Sequence, residues 1–241
     1  DARKSRGLGD VYKRQLQTLL LPILLVQGWR LRKNIIELPE ATGERQGTLG
    51  KGRKLGLIFL GDSSACGVGV SHLNKALSGG LLNILSQKYS CNWKVFAKSK
   101  LMTSELTTLI SKEEETNFDI AVVCIGMNDI TDGKSVKVWM RDILNLRKII
   151  IDKYDVSKII FSGIPPVHKL NQVPHPLLHI LGIKAFIFGK ALREFCADNN
   201  ECFFIDIDLP VSNQTMAIDG YHPNELFYRA WAERISKSIL K

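Results

Sequence analysis

The sequence lacks several features that would assign it a class at once. It has five cysteines, Cys66, Cys91, Cys124, Cys196 and Cys202, but no Cys-x-x-Cys pair, and their number is odd. That argues against a zinc ribbon, a thioredoxin-like redox centre or a disulfide-stapled scaffold, and in favour of small buried thiols in a reducing compartment. Cys66 alone lies close to a candidate reactive residue, Ser63. The apolar run Leu19 to Val26 is far short of the ~20 residues needed to span a bilayer. No small-residue cleavage site follows it, so it does not read as a removable signal. Gly67 and Gly69 lack the third glycine of a dinucleotide fingerprint. His168, His175 and His179 have no Glu or Cys partner at ligand spacing, so neither a metal nor a cofactor is expected. Zinc spacing, an aromatic–basic RNA motif and a helix-turn-helix are all missing, and no nucleic-acid partner is expected.

What is present begins with an uneven charge. The formal net charge is +9 over 241 residues. Residues 1–54 hold 12 Lys/Arg and 5 Asp/Glu, a net of +7, and the remainder holds 21 against 19, a net of +2. The basic excess therefore belongs to the leader, not to the domain that follows. Residues 1–15 have no hydrophobic period and resemble translated adapter sequence, so they are expected to be a non-native segment. Residues 16–54 read as an apolar and basic N-terminal segment ending in a polar, Gly-rich linker, "ELPEATGERQGTLGKGRK". For residues 16–33 three readings stand open: the remainder of a membrane anchor, an interfacial amphipathic helix with basic flanks, or a helix packed on the domain. The expected location is cytoplasmic or membrane-associated.

From residue 55 to 241 short apolar runs alternate with longer helical patterns. Strands are expected at "LGLIFLG", "WKVFAKS", "DIAVVCIG", "SKIIFSGI" and "CFFIDID". Helices are expected between them, among them one that places Val136, Trp139, Met140, Ile143, Leu146 and Ile150 on a single face. Strands that are apolar throughout and separated by helices mean a parallel sheet covered on both sides. The fold class is therefore α/β, a three-layer α/β/α sandwich with a five-stranded parallel sheet. In such sheets ligands sit at the carboxyl edge of the strands. Reactive residues should thus fall just after strands, and Ser63 and Asn128 do.

Four blocks carry the chemistry: "GDSS" after the first strand, "AKSKLMT" after the second, "GMND" after the third and "DGYHPN" before the last helix. Singly they are weak. Ser63 alone is an ordinary cap after a strand, Asn128 and Asp129 alone are turn residues, and His222 alone is a solvated residue before a helix starting at Pro223. In this order the blocks resemble the SGNH, or GDSL-type, serine hydrolases, from about residue 55 to the C-terminus. The resemblance implies a flavodoxin-like fold and a metal-free serine esterase or lipase. A serine hydroxyl is a weak nucleophile until a base takes its proton. Ser63 would attack a carboxylic ester, His222 would be the base, and Asp219 would orient it. The backbone N–H groups of Ser63 and Lys100, with the Asn128 amide, would hold the oxyanion.

One position departs from the family. Where its second block carries glycine, this chain has Lys100, which tolerates positive φ poorly. The expectation is hydrolysis of small-molecule or lipid esters with short-to-medium acyl chains. The alternatives are removal of O-acetyl groups from carbohydrate or envelope polymer, and a non-catalytic binding protein on the same fold. The segment 164–188, long, apolar and rich in proline, reads either as a cover over the site or as a packed helix.

Overall fold

The computed structural model describes residues 20–170 and 172–240. The adapter-like stretch 1–15 and the start of the apolar segment lie outside the described residues.

Alternation of side chains explains why the central strand forms and what it separates. In β2 (Arg53–Gly61) Leu57 and Phe59 point to one side, and Ile58 and Leu60 to the other. Each side meets helices, so every residue from Leu57 to Leu60 is buried. One layer holds α3 (Thr103–Ser111), α5 (Val136–Tyr154) and α6 (Leu177–Ala197). The other holds α2 (Leu77–Leu85) and α7 (Glu225–Ile239). On α5 the expected face is the inner one: Trp139, Ile143, Leu146 and Ile150 are buried, with Val136 and Met140 partly so.

The sheet has six strands, not five. Its order is β1 (Gln46–Leu49), β3 (Tyr89–Ala97), β2, β4 (Ile120–Cys124), β5 (Lys158–Ser162), β6 (Cys202–Ile205). The five expected strands are parallel, and β1 adds an antiparallel edge on β3, Gln46 opposite Lys94 and Leu49 opposite Cys91. It arises inside the stretch read as a linker. "QGTL" has no apolar alternation because all four residues are exposed on a sheet edge, so only backbone pairing defines the strand.

Strand order reverses around β2: the chain steps outward to β3, then returns across β2 to β4. Such a switch point opens a crevice at the carboxyl ends of the two strands on either side. The turn after β2 carries Ser63, and the short α4 (Met127–Thr131) after β4 carries Asn128.

Residues 20–34 form a further helix, α1. Gln27 fixes it to the start of α6, donating to the His175 carbonyl at 2.6 Å and accepting from the Leu177 N–H at 3.2 Å. No helix among the described residues is long and apolar enough to cross a membrane.

Candidate active site

Ser63 lies in a tight turn rather than at a helix start. The Cys66 N–H donates to the Asp62 carbonyl at 3.0 Å, and the Val68 N–H to the Ser63 carbonyl at 3.0 Å. The turn approaches the C-terminal loop closely enough that a Cβ on Gly69 would lie 2.1 Å from the Pro223 carbonyl oxygen. Only glycine fits there, and its φ of +103° suits it. This contact brings the serine loop beside His222, 159 residues away in sequence.

The histidine is presented by a turn that holds itself. Gly220 turns at φ +72°. One oxygen of Asp219 accepts the N–H groups of Tyr221 at 2.9 Å and His222 at 3.1 Å. Its second oxygen lies 2.6 Å from His222 Nδ1. Across the ring, Nε2 is 3.0 Å from Ser63 Oγ. Burial favours the neutral acid at Asp219, but the His222 hydrogen bond and the two backbone N–H groups together outweigh it and lower the carboxyl's pKa. An ionised Asp219 requires a proton on Nδ1, which leaves Nε2 to accept from the Ser63 hydroxyl. Helix α7 starts later than expected, with Asn224 rather than Pro223 at its head. The Asn224 side chain accepts from Leu226 and Phe227 N–H.

Asn128 reaches the serine turn from α4. Its amide nitrogen donates to the Leu101 carbonyl at 2.9 Å and, at a longer 3.3 Å, to Asp62. Its neighbour Asp129 does not cap its own helix. It crosses to α3, accepting from Thr103 N–H at 3.1 Å and the Thr103 hydroxyl at 2.8 Å, and pairs with Lys134 at 2.6 Å. Thr103 in turn accepts from the Trp139 indole at 2.9 Å. This buried set fixes the segment that carries Asn128.

Lys100 has a φ of 67°, in the left-handed region. Its side chain leaves the site and pairs with Glu37 at 2.7 Å. Among the described residues, the backbone N–H groups of Ser63 and Lys100 have no protein acceptor. Cys66, the thiol nearest Ser63, is buried, which pushes its pKa up to about 12; all five cysteines are free and buried. The segment 164–188 divides in two: the second half is α6, and the first half reaches the Asp219–His222 turn, where Tyr221 donates to the Gln172 carbonyl at 3.2 Å. His168, His175 and His179 form no metal-holding group, and none occurs among the described residues.

Two further residues around the candidate site escape a reading of the sequence. Asp62 stood in the quoted "GDSS" block without a role. It is buried beneath the site, accepts from Ser64 N–H at 3.2 Å as well as from Asn128, and burial lifts its carboxyl to about 6. Glu40 accepts the Ser99 N–H at 2.7 Å from within the presumed linker; no local pattern marks it.

A three-layer α/β sandwich with a hydroxyl, an imidazole and a carboxylate in series at its switch point defines a class of hydrolytic folds. Residues 59–230 match the model of the GDSL-like Lipase/Acylhydrolase family. The chain belongs to this family and is an ester-hydrolysing enzyme acting on a small-molecule ester. No curated protein matches the chain. Among solved structures it is similar to a lipolytic G-D-S-L family protein from Veillonella parvula DSM 2008, at 14% identity over 78% of this chain and 99% of that one, with a TM-score of 0.61. It is also similar to the psychrotrophic esterase EstA from Pseudoalteromonas sp., at 17% identity over 77% and 96%, TM-score 0.57. A third is the lipase Lip_vut3 from a goat rumen metagenome, at 16% identity over 76% and 97%, TM-score 0.59.

Proposed function

We propose that the chain is a serine esterase working through an acyl-enzyme, and that Ser63, His222 and Asp219 form its catalytic triad. The observation that carries this is the unbroken series Ser63 Oγ, His222, Asp219 at 3.0 and 2.6 Å on the carboxyl edge of the sheet. Ser63 Oγ attacks the ester carbonyl carbon as its proton passes to His222 Nε2. The same proton then goes to the departing alcohol. Water, deprotonated by His222, releases the acid from Ser63. Asp219 accepts from Nδ1–H throughout and stabilises the imidazolium without taking the proton.

The oxyanion would rest among the N–H groups of Ser63 and Lys100 and the Asn128 amide. The two backbone donors have no protein acceptor among the described residues. Asn128 can turn to the oxyanion by giving up its longer bond to Asp62. Lysine in the second block does not prevent this, because Lys100 holds the left-handed geometry and sends its side chain outward to Glu37. Half-buried Leu101 and the exposed Ile218, next to Asp219, offer apolar contact to a short or medium acyl chain.

A fluorophosphonate probe and p-nitrophenyl acetate, butyrate and octanoate test the reading. The wild type should label and turn over, and Ser63→Ala should do neither. Retained turnover in Ser63→Ala refutes the nucleophile, and activity confined to acetyl esters redirects the substrate to O-acetyl groups.

A lipid surface is the partner we assign to α1. Leu20, Leu24 and Leu31 are half-buried on the helix face of domain-bound Gln27, while Leu21, Ile23, Leu25, Val26 and Trp29 are exposed beside Arg30, Arg32 and Lys33. A helix docked by one stripe with an apolar outer face and cations at its end suits an anionic interface. The chain should sediment with phosphatidylglycerol vesicles. Leu25→Ser with Trp29→Ser should release it while soluble-ester turnover persists; equal sedimentation of the double variant refutes the assignment.

A further inference from the structure

The candidate oxyanion donors depend on a segment that precedes the family match at residues 59–230. Residues 37–45 grip the loop after β3. Glu40 Oε1 accepts the Ser99 N–H at 2.7 Å, and its other oxygen pairs with Arg45 at 2.7 Å. Arg45 donates onward to the Ala97 carbonyl at 2.7 Å, and its own carbonyl accepts from Val95 N–H at 2.7 Å. The same segment is tied to the serine loop: the Ala41 N–H donates to the Cys66 carbonyl at 3.1 Å, and the Thr42 N–H to the Ser71 carbonyl at 3.1 Å. It therefore bridges the two loops that flank the site.

The loop it holds is strained. Lys100 sits at φ 67°, a conformation that a residue with a side chain keeps only where its surroundings over-determine it. The held loop also feeds both non-serine donors. Ser99 immediately precedes the Lys100 N–H, and the Leu101 carbonyl orients the Asn128 amide at 2.9 Å.

We propose that Glu40 and Arg45 are positioning residues, a charged clamp that aims the Lys100 N–H and the Asn128 amide at the oxyanion and substitutes for the conformational freedom of glycine at position 100. The clamp touches no reacting atom. It acts by fixing the peptide on either side of Lys98, and the outer Glu37–Lys100 pair at 2.7 Å draws the lysine side chain the same way. The proposal rests on the serine esterase reading above and adds to it the reason a lysine is tolerated there.

The experiment measures kcat and KM on p-nitrophenyl butyrate, with kcat normalised to sites labelled by the fluorophosphonate. Glu40→Ala should lower kcat by about 10- to 100-fold with KM within about twofold, as expected for a misplaced transition-state donor. In a Lys100→Gly background, where the left-handed angle needs no support, the same Glu40→Ala change should cost clearly less. A merely structural role would lower the melting temperature and the labelled fraction but would cost equally in both backgrounds. Should Glu40→Ala not fold, Glu40→Gln keeps the side-chain shape and removes the charge pair with Arg45, and its kcat should fall less, with the same dependence on background. Unchanged kcat, or equal losses in the two backgrounds, overturns the clamp while leaving the esterase reading intact. A wild type that neither labels nor turns over overturns both.

Discussion

Two loops of the candidate site are held in opposite ways. The turn 219–222 is self-sufficient. Asp219 accepts from residues two and three positions on, and the same carboxylate orients the imidazole. The loop 98–101 has almost nothing of its own. Its only internal backbone bond, Leu101 N–H to the Lys98 carbonyl, is 3.4 Å long, and its anchors come from outside it: Gly61 on Lys98, Glu40 on Ser99, Glu37 on the Lys100 side chain and Asn128 on the Leu101 carbonyl, with Arg45 holding Ala97 just before it. A locally closed turn tolerates change elsewhere in the chain. A loop clamped from 59 residues away does not, and it can carry an unfavourable residue only while the clamp is present.

The largest effect should come from the self-held turn. Asp219→Asn keeps an oxygen for the backbone N–H groups but removes the charge that fixes the imidazole tautomer, so kcat should fall by ~10⁴. The His222 imidazole N–H resonance should disappear with it. The comparison is sharpened by Glu40→Ala: that resonance should persist unchanged, because nothing in the 219–222 turn touches the clamp. Its loss in Glu40→Ala would show that the two loops are not independent.

Asn128→Ala should lower kcat by ~10²–10³ with a small change in KM, the usual cost of one oxyanion donor. A loss below tenfold would mean that Asn128 keeps its bonds to Leu101 and Asp62 during the reaction.

The smallest effect concerns stability. Burial raises the Asp62 carboxyl from 3.8 to about 6. An acid whose folded value is raised contributes stability that is present below its unfolded value and lost as pH rises through the folded one. Going from pH 4 to pH 7, the wild type should therefore lose about 2 kcal/mol relative to Asp62→Asn, read from denaturant melts. A difference that stays constant with pH would place Asp62 in an ordinary environment.

Much of the scaffold was legible because its signals are periodic. The strand runs from Leu55 to Gly61 and from Ile120 to Cys124 are apolar on both faces, and only a sheet covered on both sides satisfies that. The Trp139, Ile143, Leu146 and Ile150 stripe announced α5 in the same way. Strand β1 was not legible, since an exposed edge leaves no hydrophobic trace. Among candidate site residues, Ser63 and Asn128 stood in short blocks just after strands, and Asp219 and His222 in a block before the last helix. Asp62 hid in plain view, because an acidic residue beside a serine reads as a turn until it is seen to be buried. Glu40 and Arg45 carried no signal at all.

The sequence by itself determined the alternation of elements, the loops that bear the chemistry and the Asp219-to-His222 spacing, because each depends on neighbours within a few positions. Tertiary structure alone decided that Ser63 meets His222, that Lys100 adopts a left-handed backbone, and that an N-terminal carboxylate holds it there. Those contacts join residues 59 to 159 positions apart, and their geometry is fixed by packing and long-range hydrogen bonds that no local pattern encodes.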